Sequence, residues 1–221
     1  LRPGNPISPD FYKEAFANIS LRFYAGGMDL TSITPTPQAL KALTHPVRLR
    51  MLGLLRLEGP ATATQLASRL GLNSGATSYH LRQLAQHGFV VDDDERGNAR
   101  DRWWKAAHRS TQTADTTDDP AARETLEAYL QSVAVVMTEQ LQRAIEELPL
   151  VPEPWARAST FSDWVIRLTP ARAQALVEAL AGVLRDAEGD TEDEGEQFVV
   201  QLSAFPLPGH VTEGVAGGEV S

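Results

Sequence analysis

The chain contains no cysteine. That absence excludes disulfides, thiolate nucleophiles, cysteine-based zinc fingers and ribbons, and cysteine-held iron–sulfur clusters. Long apolar runs are missing too. No stretch approaches the ~20 residues that a membrane-spanning helix needs, and the first residues lack the basic run and apolar core of a secretion signal. The expectation is a cytoplasmic protein with no membrane partner. Histidine is scarce: His45, His80, His87, His108 and His210 are all there are, and none forms a close His-x-x-x-His pair. His80 and His87 stand seven apart, too far for chelation between adjacent helical turns. No metal site and no cofactor are expected. A nucleotide-binding glycine loop and a nucleophile elbow are absent as well, so no catalytic residues are assigned and an enzyme is not expected.

What is present is ordinary in amount and uneven in placement. The 221 residues are 42% hydrophobic and 22% charged, enough for one large domain or two small ones. The net charge of −9 argues against a polyanionic partner if taken as a single number. Recognition depends on where charge sits, however. Residues 37–108 hold ten Lys/Arg against six Asp/Glu, a net of +4, whereas residues 110–221 hold six against twenty, a net of −14. A basic module is followed by an acidic one.

Residues 1–36 read as an N-terminal extension. Asp10 is a candidate cap for a short helix through Phe16 to Tyr24. Gly26-Gly27 reads as a joint before Met28, which leaves open whether residues 1–27 are appended. From Pro37 the signals sharpen. Thr36 caps a helix with Pro37 at its first position, and Leu40, Leu43, Val47, Met51, Leu54 and Leu55 recur at helical spacing, with Pro46 kinking or dividing the run. Thr62 or Thr64 caps a second helix ending at Gly71, and Asn73 or Ser74 caps a third that runs to about His87, with Gly88 after it. The period then changes to two: Phe89-Val90-Val91 and Arg102 to Lys105 are strand candidates joined by a hairpin with its turn at Gly97-Asn98. Residues 109–120 read as a polar linker. Pro120 opens a long helix to about Leu148, and its stripe of Leu126, Leu130, Val133, Met137 and Leu141 suits either a second subunit or packing within the chain. Asp163 to Leu168 and Phe198 to Phe205 read as strands around a helix that starts at Thr169-Pro170. Residues 121–208 are thus expected to form a dimerisation and candidate effector domain, and 209–221 a flexible tail. The predicted class is α+β: a winged helix-turn-helix domain over 37–108, then a long helix and a small β-α-β module.

Two helices joined by a tight glycine turn make the helix-turn-helix arrangement, with the third helix as the reading element. Thr77, Leu81, Leu84 and Gly88 fall on a side that should face the core. Ser74, Gly75, Ser78, Tyr79 and Arg82 fall on another. Small residues at a helix start admit close approach to a major groove, hydroxyls reach phosphates or base edges, and arginine does either. The candidate DNA-binding set is Ser74, Gly75, Thr77, Ser78, Tyr79 and Arg82, joined by Arg96, Arg100 and Arg102 on the wing; Thr77 is counted on both sides. Arg48 and Arg50 add charge near this module or serve packing. Asp92, Asp93, Asp94 and Glu95 either pair with the wing arginines or weaken nonspecific binding. Trp104 reads as a core anchor of the wing, while Trp103 is ambiguous.

The stretch from Leu40 to Leu55, with Thr-His-Pro-Val-Arg-Leu-Arg at its centre, resembles the first helix of ArsR-type winged helix-turn-helix regulators. Thr64 to Leu72 looks like their second helix. Ser78, His80-Leu81, Leu84 and Gly88-Phe89-Val90 are similar to their recognition helix and following strand. The resemblance covers about residues 37–107. It implies a homodimeric, sequence-specific transcription regulator, usually a repressor released by an effector. Metal-sensing members use cysteine clusters or His and carboxylate sets. Their absence here points to a larger, non-metal-sensing variant whose C-terminal α/β extension is similar to those of larger actinobacterial-type regulators.

The function this predicts is a DNA-binding homodimeric repressor that reads an inverted repeat on double-stranded DNA, with a small-molecule effector as a candidate partner. The rivals are a winged-helix protein-interaction module without DNA binding, and an enzyme sited in the C-terminal module around Asp163, Glu178 and Glu153.

Overall fold

The computed structural model describes residues 20–22, 31–96, 101–113, 119–191 and 193–210. Two compact units divide it, residues 1–157 and 158–221.

The first unit carries the helix-turn-helix. Helix α1, Pro37–Leu40, is capped by the Thr36 hydroxyl and has proline at its first position; a 3-10 turn, Lys41–Leu43, follows it. Pro46 does divide the first helical run. His45 takes extended backbone and its Nδ1 accepts from the Val47 amide at 3.2 Å, so α2, Pro46–Leu57, begins afresh with proline where no donor is needed. A two-residue strand β3, Ala61–Thr62, leads into α3, Ala63–Leu70. Thr62 and Gln65 form a reciprocal capping box there. Gly71 closes α3 in the left-handed region at φ 64°, a conformation that a side chain would strain. Asn73 then caps α4, Ser74–Gln86, by accepting from the Ala76 amide at 2.7 Å.

Beyond Gly88 the wing forms as the change of period predicts. Strand β4, Val90–Asp92, pairs antiparallel with β5, Trp103–Ala106, and β5 also takes β3 on its other edge. Trp104 is buried, as expected of a wing anchor.

Two expectations on either side of this domain are corrected. Ser20–Arg22 is a strand, β1, and not the end of a helix running to Tyr24; the rest of that predicted helix lies outside the described residues. The segment expected as a linker, 109–120, contains a strand, β6, Ser110–Gln112, between β1 on one side and β2, Ser32–Ile33, on the other. Ser110 and Thr111 are buried. Polar composition looked like a solvated linker, but the segment helps to satisfy a buried cation: Arg56 donates to Thr111 Oγ1 and to the His108 carbonyl, both at 2.8 Å. Burial lowers the Arg56 pKa to about 10.

Helix α5, Pro120–Glu147, is the long helix predicted, capped by Asp119. Its 28 residues span ~42 Å, and its two halves behave differently. The first half packs on α1, the 3-10 turn and α2. Leu126, Tyr129 and Val133 join Leu43, Met51, Leu52, Leu81, Leu84 and Phe89 in one core. Ser132 Oγ donates to the Thr44 carbonyl at 2.7 Å, and Arg50 pairs with Glu139 at 3.4 Å. The dimerisation stripe is therefore corrected. Leu126 and Val133 are core residues of their own chain, Leu130 and Met137 lean on that core, and only Leu141 is exposed. A stripe at 3–4 spacing is the same whether it meets its own domain or a second copy.

A 3-10 turn, Leu148–Leu150, leads to a short helix α6, Glu153–Ala158. In the second unit α7, Pro170–Asp186, forms as predicted, with Thr169 capping it and proline first. The two flanking segments, Asp163–Leu168 and Phe198–Phe205, carry no strand. The α+β class stands, but the β-α-β closure expected of this tail is not made within the chain. Two short segments make a marginal ribbon without a covered apolar face, and here their apolar side chains are exposed.

Candidate nucleic-acid interface

Helix α4 sorts its residues as a half-buried helix must. Leu81 and Leu84 are fully buried, and so is Thr77, whose hydroxyl donates to the Asn73 carbonyl at 3.0 Å. Thr77 is thus withdrawn from the DNA-binding set. Its four-residue spacing from Leu81 puts it on the core face, and its hydroxyl is consumed by the helix start.

Ser74, Gly75, Tyr79 and Arg82 are exposed and Ser78 is half-buried, so one face of α4 presents the remaining residues to solvent. Gly75 stands in the first turn, where glycine is less favourable than alanine by roughly 0.5–1 kcal/mol. A Cβ there would meet nothing nearer than Asn73 Oδ1 at 3.4 Å. Nothing within the chain demands a glycine at this point. Tyr79 packs its ring edge-on against His80, 5.6 Å between centroids, which steadies the phenol at the surface.

Arg82 differs from its neighbours. Among the described arginines of residues 37–108, it alone makes no ion pair or hydrogen bond to the protein. Arg48 donates to the Ala42 and Lys41 carbonyls and fastens the 3-10 turn to α2, with burial lowering its pKa. Arg50 and Arg56 are committed to α5 and to β6 as described. The charge of Arg48 and Arg50 is therefore structural.

The wing cations are engaged by the wing acids. Arg102 grips Asp92 with two donors, the second at 2.6 Å, and its guanidinium lies 4.2 Å from the centroid of the Trp104 ring. The Arg102 hydrogen bond holds the Asp92 carboxyl below its usual range. Asp93 is buried, with Lys105 Nζ 2.8 Å from Oδ1 and Arg96 Nε 3.7 Å from Oδ2. Arg96 also lies 5.9 Å from the Trp103 ring. Of the two roles open to these acids, ion pairing is the one the geometry displays. Arg100 and the Gly97-Asn98 turn lie outside the described residues.

The rival sites gain no geometry. Glu153 is held by Arg157, and Asp163 and Glu178 are solvent-exposed. Among the described residues no group of three His, Asp or Glu side chains could hold a metal ion, and no helix is long and apolar enough to cross a membrane. Two features escaped the sequence reading. The His45 and His80 rings meet at a tilt of 51°, with centroids 4.7 Å apart, between the start of α2 and α4. Strand β3 is only two residues long, too short for any alternation to register.

Residues 43–92 match the family described as a helix-turn-helix domain. The match begins in the 3-10 turn and ends on β4, so it includes the whole of α3, the Gly71 turn and α4. Over 66 residues the chain is 38% identical to the HTH-type transcriptional regulator NmtR of Mycobacterium tuberculosis, a span covering 30% of this chain and 54% of that protein. The chain thus spans about half the length of the curated relative it matches. Among solved structures it is similar to a possible transcriptional regulator for arsenical resistance, at 26% identity over 48% of this chain and 93% of that one, with a TM-score of 0.28. RV1404 from Mycobacterium tuberculosis is similar at 16% identity over 68% and 84%, with a TM-score of 0.27.

Proposed function

We propose that the chain is a sequence-specific DNA-binding transcription regulator of the ArsR type, a homodimer that reads an inverted repeat. The observation that carries this is Arg82, exposed on α4 and uncommitted within the protein, beside the small and hydroxylated residues Ser74, Gly75 and Ser78. An arginine so placed can take the O6 and N7 of a guanine. The absence of any internal need for Gly75 fits close approach of a groove wall or phosphate. Tyr79 completes a surface of about two turns.

In this reading residues 37–108 are the reader and residues 121–208 the dimerisation and effector region. The exposed distal half of α5, with Val135, Leu141 and Ile145, supports pairing of two copies along that helix. Twofold symmetry then sets half-sites about 34–36 Å apart. Arg96, Arg100 and Arg102 act on the backbone beside the groove, and the pairs Arg102–Asp92 and Arg96–Asp93 moderate their pull on phosphate. Repression is the sign of regulation this reading favours, with an unidentified small molecule as effector.

The wing ion pairs also suit a second reading, a protein-interaction winged helix without DNA binding. Selection of bound sequences from random duplex DNA at fixed salt separates the two. Enrichment of an inverted repeat supports the regulator. Recovery of no motif by the wild-type dimer removes it.

A further inference from the structure

The second unit has no interior of its own. Among its described residues, from 158 to 210, not one is buried. Yet its sequence is not that of a disordered tail. Helix α7 is capped and carries Leu176, Leu180 and Val183 at helical spacing, and the segments around it are rich in β-branched and aromatic residues. Thirteen large apolar side chains between Phe161 and Leu207 are exposed, with Trp164 at 78% and Val165 at 81%.

The amount of surface decides what kind of occupant is required. Taking roughly 150–250 Å² for each exposed aromatic and somewhat less for each aliphatic, these side chains offer on the order of 1,000 Å² of apolar area. The largest apolar patch on an ordinary monomer is ~300–600 Å², and a stable protein–protein interface takes ~800 Å² from each partner. Summed over the two segments and α7, the area is on the scale that one partner gives to a stable interface. A small ligand would cover only part of it. Charge excludes nucleic acid, because residues 158–210 hold nine Asp/Glu against three Arg.

We infer that residues 158–210 complete their fold by strand exchange with a second copy of the chain. Residues 163–168 and 198–205 carry no strand in the single chain, yet both are rich in β-branched and aromatic residues, and the second also alternates over Val200 to Ala204. Under a twofold axis every segment that one copy offers finds the same complement in the other, so the interface is isologous and closes at two copies. The apolar centres Trp164-Val165-Ile166 and Phe198-Val199-Val200 contain no charge, so stacking them brings no like charges together. The acidic stretch Asp186 to Glu196 lies between α7 and the second segment and stays in solvent.

The inference deepens the homodimer reading and does not rest on DNA binding, and its test separates the two. The chain has no cysteine, so single cysteines can be placed at will. Full-length V165C and V200C, treated with a short bismaleimide, are expected to give covalent dimers, while S68C on the exposed face of α3 stays single. V165D is expected to weaken the dimer roughly 100-fold or more by light scattering, with the helical circular dichroism of the first unit retained. An intramolecular link in monomeric V165C/V200C overturns the inference by showing that the module closes within one chain. A V165D protein that remains dimeric while L141D/I145D is monomeric overturns it too, but leaves the homodimer. A wild-type chain that is monomeric at micromolar concentration removes both.

Discussion

Asp93 is buried beneath the wing with its Oδ1 2.8 Å from Nζ of Lys105. The pair joins the end of β4 to the middle of β5 behind the hairpin tip, and the Asp93 amide donates to the Trp103 carbonyl at 2.9 Å, so the carboxylate is fixed from its own backbone. Asp93→Ala removes the acceptor from a partly exposed ammonium and from Arg96. It is expected to destabilise the first unit by about 1–2 kcal/mol, less than a fully buried pair because Lys105 still reaches water. Urea denaturation read by tryptophan fluorescence measures this, and an unchanged midpoint would show that the pair contributes nothing.

Asp92 makes the opposite experiment possible. Its carboxylate accepts from two nitrogens of Arg102, Nε and Nη2. Asp92→Asn frees a cation on the wing and removes a negative charge from the same surface. Affinity for random duplex DNA should rise, and the dependence of log affinity on log salt should steepen by about one counterion. Arg82→Ala should instead lower affinity for the preferred sequence with little effect on random DNA, by ~1–3 kcal/mol per good base contact. Equal losses on both DNAs would move Arg82 from base reading to phosphate.

Gly75 separates folding from binding. The nearest atom to an added Cβ is 3.4 Å away, so alanine fits. Gly75→Ala should stabilise the free protein by about 0.5–1 kcal/mol, the helix-propensity difference, while weakening DNA binding. A variant that is more stable and binds equally well would show that the groove does not approach α4 at this point.

Much of the helix-turn-helix domain was legible because local rules and tertiary packing agree there. Thr36, Pro37, Gly71 and Asn73 each announce a helix boundary by chemistry that acts within four residues. What escaped depends on distant partners. Ser110 and Thr111 look like linker residues until Arg56 is brought to them from α2. Leu126 and Val133 carry the same helical signal as Leu141, and only the docking of α5 onto α2 distinguishes them. Thr77 sits one residue from Ser78 in sequence, yet the roughly 100° step between them carries Thr77 into the core and leaves Ser78 half-buried. For the second unit the difficulty is different. Its pattern predicts strands, and a strand exists only with a neighbour to bond.

The His45 and His80 rings, 4.7 Å apart, make stability depend on pH near neutrality. Both imidazoles are held below their ordinary value, first by burial; Arg48 and then Arg50 add to the effect on His45, and His45 and then Arg48 to that on His80. His80 Nδ1 is buried with no hydrogen-bond partner, and His45 Nδ1 already accepts from Val47, so neither gains a bond that would repay a proton there. The sign follows from linkage. Below about pH 6.5 the unfolded chain binds protons that the folded chain resists, so stability is fully present at higher pH and falls on acidification. The Tm is therefore expected to drop between pH 7 and pH 5.5. His80→Gln should flatten that slope, because it removes one titrating ring and relieves the other. The contact joins α4 to the start of α2, so acid should loosen α4 before the wing. Hydrogen exchange at the α4 amides against those of β4 and β5 reads this directly. A Tm that stays level to pH 5.5, or a slope identical in His80→Gln, would show that the two rings do not govern the acid response.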